Sequence, residues 1–552
     1  MKNPQAFWLK LLVVLTLLSA LAAACAPKAG STTPSRTTTP QATAAPTAQP
    51  AGPSGELKVA LSAMGTESFY PPAGGLSDVT TTLAPMFDWL FTLKGLDLAP
   101  GLIEKWEVAP DGLSWIYNVR RGVKFHDGKE LTGADVKYSL EQYVVPAAAS
   151  PFLRGMIDRV QATDNYTVRV FTKGTQPYLP HTSTLYDPSQ GAVMPKDYAE
   201  QQGRANFELR PIGTGPFKFA KHTRGDAVQY EAFDQYWGQV PAFKSLTLIL
   251  MPEESTRVAS LKTGAVDIID VGLDASNELE KGGFRTPTLD VALPHIRVYG
   301  AYDAQASRLP IADARVRQAL SLAINRDEIR STVFFGKADP VFVPGLPLGA
   351  ADVDLNYWRD FSAKAYRYDP TAARDLLKQA GYADGFSIKM YAFAMGGAPY
   401  LPQLAQIVAG YWGAIGVKTE LTPIEFSTFR TWFPSLPPKA QVLGQASVFR
   451  DTDNPVTPKP LRSAFYSTGT WALNGKATPE LDKLIDSATS EPDPAKRKEM
   501  LTNAVQMAVD SWTYLPVAGA PAVSALGPKV SIDFPKPAIA IALYLNRAKH
   551  AK

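Results

Sequence analysis

Few groups of reactive side chains occur close together in this sequence, and each fits a structural role better than a catalytic one. Glu253 and Glu254 are adjacent, but neighbours on a helix do not face each other. Both follow Pro252 at a predicted helix start, where acidic groups favour the helix dipole. The Gly-Thr-Gly-Pro segment at 213–216 has the glycine content of a phosphate loop, but its proline lacks the N–H that a phosphate would need. We therefore expect a helix start and a structural turn at these positions.

The sequence offers no set of ligands for a metal or cofactor. The five histidines lie at 126, 181, 222, 295 and 550, without the spacing of a metal site. A single cysteine, Cys25, excludes a disulfide, a cysteine-rich zinc site and an iron–sulfur cluster within the chain. P-loop, HExxH, CxxC and GxSxG motifs are absent from the sequence. With 56 basic and 52 acidic residues among 552, the chain also lacks the charge of a typical nucleic-acid binder. We expect no enzymatic activity, no cofactor and no nucleic-acid partner.

The N-terminus has the form of an export signal with a lipid attachment site. An uncharged stretch at 11–24 is too short for a typical membrane-spanning helix. It ends in Leu-Ala-Ala-Ala-Cys at 21–25, which resembles the lipobox of bacterial lipoproteins, although Ala22 stands where Leu, Val or Ile is usual. The prediction is a signal peptide at 1–24 and a lipid anchor on Cys25, at the outer face of the cytoplasmic membrane, in the periplasm or at the cell surface. Ordinary secretory cleavage, with an incidental cysteine, is the alternative.

Residues 25–54 change abruptly in composition. Twenty of these thirty residues are Pro, Thr or Ala, none is aromatic, and Lys28 and Arg36 are the only charged ones. Such a segment cannot bury a core, so we expect a disordered, partly polyproline-like tether.

From residue 55 onward, helix and strand patterns mix, which predicts an α/β or α+β fold with at least two lobes. Alternating or short apolar runs predict strands at 114–119, 167–171 and 246–250, and residues 124–128 are predicted to be a short strand that runs into a turn. Capping residues, several of them followed by proline, predict helices that begin after Thr132, Asp313, Asp369, Thr478 and Asp493. Asp135 should complete a capping box with Thr132. Trp412 should lie in the core, because Ile407, Val408 and Tyr411 share its predicted helix.

Four blocks of sequence then follow one another in a specific order. They are Pro-Gly-Leu-Ile-Glu-Lys-Trp at 100–106 with 110–136, Pro-Ile-Gly-Thr-Gly-Pro-Phe at 211–217 with Tyr-Trp-Gly at 236–238, Asp-Ala-Arg-Val-Arg-Gln-Ala-Leu at 313–320 with Ala-Ile-Asn-Arg at 323–326, and Tyr-Asp-Pro at 368–370 with 376–382. Together they resemble the family 5 extracellular solute-binding proteins of ABC importers, the oligopeptide-, dipeptide- and nickel-binding group. The resemblance spans about residues 56–520. Most of these residues are expected to maintain the fold, and Arg317 and Arg326 are expected to pair with carboxylates at lobe contacts.

The resemblance implies a two-lobed α/β fold like that of periplasmic binding proteins (type II, cluster C), with an extra domain in the first half. Lobe one is expected at 55–90, 208–294 and 511–552, the extra domain at 91–207 and lobe two at 295–510. The lobes are expected to close on a solute by a hinge motion. The implied partners are the transmembrane subunits of an ABC permease and a peptide or other small solute, and the chain is expected to be a monomer.

The resemblance also suggests ligand-binding residues. The segment Arg450-Asp451-Thr452-Asp453-Asn454-Pro455 resembles the one in peptide-binding relatives where an Asp pairs with the peptide's α-ammonium. Asp451 matches that Asp. Arg450 is a neighbour that either neutralises Asp451 or attracts a ligand carboxylate. The other candidates in or near this segment are Asp453 and Phe449, and more distant aromatic candidates are Tyr70 and Trp432.

The sequence is also compatible with other functions. The same fold could bind a nickel chelate, an oligosaccharide, an opine or haem. An extracellular hydrolase and a purely structural surface lipoprotein are further alternatives, although no pair of nucleophile and base supports the hydrolase.

Overall fold

The computed structural model describes residues 52–551 except 76–77, 95–96, 150–151, 185–189, 341–351, 396–397, 399, 433–440, 453–455, 470, 472, 475–477, 536–537 and 539. The predicted signal peptide, Cys25, nearly all of the predicted tether and Asp453 lie outside the described residues. Within these residues, no helix combines the length and the apolar character needed to span a membrane.

The strands alternate with helices along much of the chain. In chain order the strands are β1 (Glu56–Leu61), β2 (Phe91–Lys94), β3 (Asp97–Pro100), β4 (Ile103–Val108), β5 (Ser114–Val119), β6 (Ile157–Asp164), β7 (Thr167–Thr172), β8 (Phe217–Thr223), β9 (Ala227–Ala232), β10 (Ser245–Leu250), β11 (Ile268–Val271), β12 (Thr288–Val298), β13 (Phe386–Ala392), β14 (Val417–Pro423), β15 (Ala446–Thr452), β16 (Tyr514–Pro516), β17 (Ala520–Leu526), β18 (Val530–Ser531) and β19 (Lys549–His550).

Some of the α-helices are short connecting segments, and others are longer and amphipathic. They are α1 (Gly133–Val144), α2 (Phe152–Met156), α3 (Lys196–Leu209), α4 (Glu254–Thr263), α5 (Leu273–Lys281), α6 (Ala314–Leu322), α7 (Arg326–Thr332), α8 (Leu355–Ala365), α9 (Pro370–Gln379), α10 (Leu401–Gly413), α11 (Phe426–Arg430), α12 (Pro458–Phe465), α13 (Pro479–Ser490) and α14 (Pro494–Asp510).

Strands from both predicted lobes form one mixed sheet. Its order among the described residues is β14-β13-β15-β12-β17-β11-β1-β10-β9-β8, and β16 pairs with β12. On one side of the centre β10, β1 and β11 run parallel, and on the other side β14, β13 and β15 do so. The long strand β12 lies between these groups and pairs antiparallel with β15, β16 and β17. The two halves are therefore joined through β12 and β17.

A separate four-stranded sheet, in the order β4-β5-β7-β6, lies within the segment predicted as the extra domain. It buries its own apolar core, which includes Tyr117, Val136, Leu140 and Val168. The predicted boundaries of the extra domain and of the two lobes stay predictions.

The two faces of β12 and β15 are buried against different cores. Ile296, Val298 and Val448 pack with α6 and α10 in one core. Tyr299 and Phe449, on the alternate positions, pack with helices α12 to α14 in another. Because side chains alternate along a strand, every second residue faces the same core.

Most of the locally encoded elements are confirmed. The predicted strands at 114–119, 167–171 and 246–250 are β5, β7 and β10, and Thr132 with Asp135 forms the predicted capping box. Helices α6, α9, α13 and α14 start where predicted, and α4 begins at Glu254. Trp412 is fully buried, and its indole N–H donates to the Leu320 carbonyl.

Two predictions are wrong. At 124–128 the predicted turn is present, but the short strand predicted before it is reduced to one isolated bridge, between Lys124 and Glu130, because the tight turn leaves no longer run of partners. Arg317 and Arg326 bond mainly to carbonyl groups rather than carboxylates: Arg317 donates to Ser511 and Arg326 to Pro516. Main-chain carbonyls can accept the hydrogen bonds of a buried guanidinium, although they do not neutralise its charge.

The turn at 213–216 is structural, as expected. A Cβ on Gly213 would lie 2.1 Å from the Met86 carbonyl oxygen, and one on Gly215 would lie 2.4 Å from the Met86 carbonyl carbon. The glycines therefore allow this turn to pack directly against the backbone of a neighbouring segment.

Candidate functional site

The carboxyl ends of parallel strands from both halves of the main sheet meet at a cavity of about 630 Å³. Ser62 follows β1, Gly272 follows β11, and Met395 and Tyr400 follow β13; all four line the cavity. Pro521, Ala522 and Val523, on the joining strand β17, line it as well. In open α/β sheets, ligands bind in the crevice outside the carboxyl ends of the strands. The volume falls in the range of small-molecule sites, so we treat this cleft as the candidate ligand site.

The wall from the first half of the sheet is polar and preorganised. Arg257, a buried residue, forms an ion pair of 2.9 Å with Asp270 and donates to the carbonyls of Met251 and Pro252. The backbone N–H of Ser62 donates to Asp270 at 3.0 Å. These bonds fix the ends of three parallel strands relative to one another and leave the Asp270 carboxylate at the cavity wall.

Glu254 and Tyr400 offer polar atoms from opposite walls. The Gly272 N–H donates to Glu254 Oε1 at 2.6 Å, which holds the carboxylate over the end of β11. The Tyr400 hydroxyl is buried and has no hydrogen-bond partner in the part of the chain that the structure describes. Burial raises the pKa of Tyr400, while the nearby charge of Arg450 opposes that rise. The neutral hydroxyl can therefore donate to a solute or accept from one.

Asp451 lies at the carboxyl end of β15, next to β13 in parallel pairing. Its side chain is 26% exposed and already has a cation: Arg297 Nη2 donates to Asp451 Oδ1 at 2.8 Å. Burial alone would raise the pKa of Asp451, but the Arg297 charge and a hydrogen bond from Tyr514 outweigh burial and hold it below its usual value. The carboxylate is thus ionised and charge-compensated within the protein.

The Arg297 guanidinium is fully buried between aromatic rings. Its centre lies 3.5 Å from the Phe449 ring centroid and 4.8 Å from that of Trp471. Stacking on two aromatic faces stabilises a desolvated guanidinium. The Tyr299 hydroxyl also lies within hydrogen-bonding reach of the guanidinium.

His295 is a neutral component of the same cluster. Its Nδ1 lies 2.7 Å from the Leu293 carbonyl, and its Nε2 accepts from Arg297 Nε at 2.9 Å. The ring stacks on Tyr514 with centroids 3.7 Å apart. Burial lowers the pKa of His295 to about 3; the Asp451 charge opposes this shift and the Arg297 charge adds to it. This neutral tautomer fixes the direction of the Arg297 side chain, and the local charges of Arg297 and Asp451 cancel.

The predicted site residues that the structure describes lie in four places. Phe449 and Asp451 are on one face of β15, within the cluster just described. Arg450 points to the opposite face, near Tyr400, because neighbours on a strand alternate. Arg297 is therefore the residue that forms an ion pair with Asp451, while the charge of Arg450 also interacts with that carboxylate, and the roles predicted for Arg450 stay predictions.

Trp432 is half-buried and packs on Tyr391 and Phe429, with centroids 5.2 and 5.5 Å apart. Tyr70 is 8% exposed, lies in the core of the other half, and donates from its hydroxyl to Gln142 Oε1 at 3.0 Å. Like Phe449, Arg450 and Asp451, neither residue is among those that line the cavity. The ligand-binding roles predicted for all five residues stay predictions.

Sequence reasoning missed Arg297, His295 and Tyr514. The first two occupy alternate positions in Pro-His-Ile-Arg-Val at 294–298, so two polar side chains point to one side of an otherwise apolar strand. That pattern indicates a buried polar cluster. Tyr514 carries no comparable signal. Among the described residues no group of three or more His, Cys, Asp and Glu side chains could hold a metal ion.

Comparisons with known proteins identify relatives of this chain. The model of the bacterial extracellular solute-binding proteins, family 5, matches residues 97–472. The dipeptide-binding protein of Escherichia coli is 29% identical over 377 residues, which cover 62% of this chain and 67% of the relative. Heme-binding protein A of Haemophilus influenzae is 26% identical over 471 residues, which cover 80% of this chain and 82% of the relative.

A solved structure has the same fold. It is an ABC transporter-associated periplasmic binding protein of Helicobacter pylori in complex with the peptide STSA. The TM-score is 0.68 at 21% identity, with 90% of this chain and 98% of the other covered. The expected type II periplasmic-binding-protein fold is therefore confirmed.

Proposed function

The chain belongs to the bacterial extracellular solute-binding proteins of family 5, and we propose that it captures a peptide or peptide-like solute in the cleft at the carboxyl ends of its parallel strands. Proteins of this family deliver peptides or other small solutes to ABC permeases. The relatives are binding components of transporters rather than enzymes. In our proposal the chain acts in the same way, as a monomer without catalysis, tethered to the membrane through Cys25.

The observation that carries the proposal is the position of the cavity. It lies between two groups of parallel strands that are connected through β12 and β17, with polar atoms on both walls. A solute that bridges the walls contacts both halves at once, so it stabilises an arrangement in which they are close together. Two observations favour a peptide-like solute: the volume of about 630 Å³, and the mixture of carboxylates, a tyrosine hydroxyl and apolar side chains.

Blocking the cavity tests the proposal. Gln403 lines the cavity from α10 and is exposed, so Gln403→Trp should fill space without disturbing a core. Gln406 is exposed on the same helix but does not line the cavity, which makes Gln406→Trp the matched control.

The assay is retention of members of a mixed tripeptide library during gel filtration, followed by mass spectrometry. We expect the unaltered protein and Gln406→Trp to retain peptides and Gln403→Trp to lose most of them. Equal retention by both variants would place the solute elsewhere, and a folded protein that retains no tripeptide at all would contradict a peptide-like solute.

A further inference from the structure

We propose that the separate four-stranded sheet contacts the helices of the opposite half of the molecule as a clasp, which sets the affinity of the cleft without touching the solute. The sheet unit consists of β4-β5-β7-β6, helices α1 and α2, and the loop that follows β7. The clasp is the contact of Thr175 and Tyr178, on that loop, with Ser490 and with the ion pair of Asp352 and Arg497. The inference rests on the proposed function and specifies how its site is regulated.

The sheet unit is attached to the half of the main sheet that carries β1. The Tyr70 hydroxyl, in the core of that half, donates to Gln142 on α1 at 3.0 Å. The backbone N–H of His126 donates to the Gly213 carbonyl at 3.0 Å. Because these bonds join it to one half, we expect the sheet unit to move with that half when the cleft opens or closes.

The loop after β7 meets the half that carries β15, through the helices that pack on that strand. The Thr175 hydroxyl donates to the Ser490 carbonyl at the end of α13. Tyr178 is almost fully buried: its ring centroid lies 5.3 Å from the Arg497 guanidinium, and its hydroxyl is within hydrogen-bonding reach of Asp352. The Arg497 and Asp352 side chains, both largely buried, form an ion pair of 2.9 Å. Polar contacts are strongest where little water reaches them, so this contact stabilises the arrangement in which the two halves are close.

The contact is incompletely packed. A cavity of about 350 Å³ lies between the two parts, with Phe152, Gly155 and Met156 of α2 on one wall and Pro458 and Arg462 of α12 on the other. A void removes dispersion contacts from the atoms that line it. The clasp therefore opens at a lower cost than a filled interface would, as the exchange of solute requires.

The clasp and the solute favour the same state of the protein. Both contacts join one half to the other, so both require the halves to be close together. None of the five clasp residues lines the candidate ligand cavity. Weakening the clasp should therefore lower the fraction of protein that is ready to bind, and reduce the affinity for every solute by the same factor.

The test removes the two hydroxyls that reach across. Thr175→Val with Tyr178→Phe keeps the shapes of both side chains and forms the clasp variant. Thr163→Val with Tyr198→Phe is the matched control, because each of its hydroxyls donates to a carbonyl close by in the chain rather than across the contact. Tripeptides that the unaltered protein retains from the mixed library are titrated calorimetrically with both variants, and small-angle scattering measures each variant without solute.

We expect the clasp variant to bind every retained tripeptide about tenfold more weakly than the control does, by one common factor, because two hydrogen bonds of the closed state are lost. Equal affinities of the two variants, or losses that differ widely between tripeptides, overturn the inference. If the unaltered protein retains no tripeptide, the proposed peptide function fails and scattering alone tests the clasp. In that case the clasp variant should have a larger radius than the control, and equal radii overturn the inference.

Discussion

Removing the Asp451 carboxylate should destabilise the protein even in the absence of solute. In Asp451→Ala the fully buried Arg297 loses the partner that lies 2.8 Å from its Nη2, and a guanidinium cannot escape by losing its proton. Removing one partner of a buried ion pair costs about 3–5 kcal/mol. Asp451 is 26% exposed, and the aromatic contacts of Arg297 with Phe449 and Trp471 persist, so we expect a loss at or just below the lower limit of that range, about 2–3 kcal/mol.

Differential scanning calorimetry can resolve this effect. For a folded part of roughly 500 residues the unfolding entropy is about 1 kcal/mol per degree, so the expected loss corresponds to a fall in Tm of about 2–3 °C. Asp158→Ala is the control, because Asp158 and Arg159 form an ion pair whose side chains are 53% and 62% exposed. Such exposed pairs contribute at most about 1 kcal/mol, so the control should barely shift Tm.

The double variant Asp451→Ala with Arg297→Met tests whether the loss of stability in Asp451→Ala comes from the unpaired Arg297 charge. Removing both charges leaves no uncompensated cation, so the double variant should be more stable than Asp451→Ala alone. If the stability losses of the two single substitutions simply add in the double variant, the carboxylate is not the counter-ion of the buried guanidinium. The same conclusion follows if Asp451→Ala shifts Tm no more than Asp158→Ala does.

The remaining predictions concern pH, packing, anchoring and motion. The folded-state pKa of His295, about 3, lies below its ordinary value of 6.5, so the unfolded chain binds more protons between these values and stability should fall as pH drops from about 6.5 towards 3. His295→Gln should flatten that dependence in pH-dependent calorimetry, and an unchanged slope would show that another group causes it. Gly213→Ala should destabilise the protein by about 1–3 kcal/mol because its Cβ meets the Met86 carbonyl. Gly410→Ala lies in a helix with open space around it, so it should instead stabilise the protein by about 0.5–1 kcal/mol. If thermal unfolding showed that both glycine substitutions stabilise the protein, or that both destabilise it, this reasoning would be contradicted. Cys25→Ser should move the protein from the membrane fraction to the soluble fraction, and continued retention after washing would argue against a lipid anchor. Small-angle scattering should show a smaller radius with saturating solute than without it, whereas equal radii would argue against lobe closure.

The sequence predicts those features of the fold that depend on neighbouring residues. Asp313, Asp369 and Asp493 cap helices through bonds to backbone N–H groups two or three positions away, so the residue types alone reveal them. The glycines at 213 and 215 are recognisable as a turn for the same reason, although their contact with Met86 is not.

Contacts between distant segments are much harder to predict. Arg317 donates to a carbonyl 194 positions away, and nothing in its neighbourhood distinguishes that carbonyl from a carboxylate partner. Arg297 and Asp451 are 154 positions apart and meet only because β12 and β15 pair in one register. A shift of one residue would place Arg297 on the other face, so the counter-ion depends on tertiary pairing rather than on local sequence.

Identifying the solutes that accompany the protein tests its proposed function most directly. The protein would be purified under native conditions, denatured, and the released small molecules analysed by mass spectrometry, with Gln403→Trp prepared in parallel. We predict peptides or peptide-like compounds, in a molar ratio near one to the unaltered protein and strongly reduced in the variant. Release of a haem, a metal chelate or a sugar, or of equal amounts of the same compound from both proteins, would contradict the account.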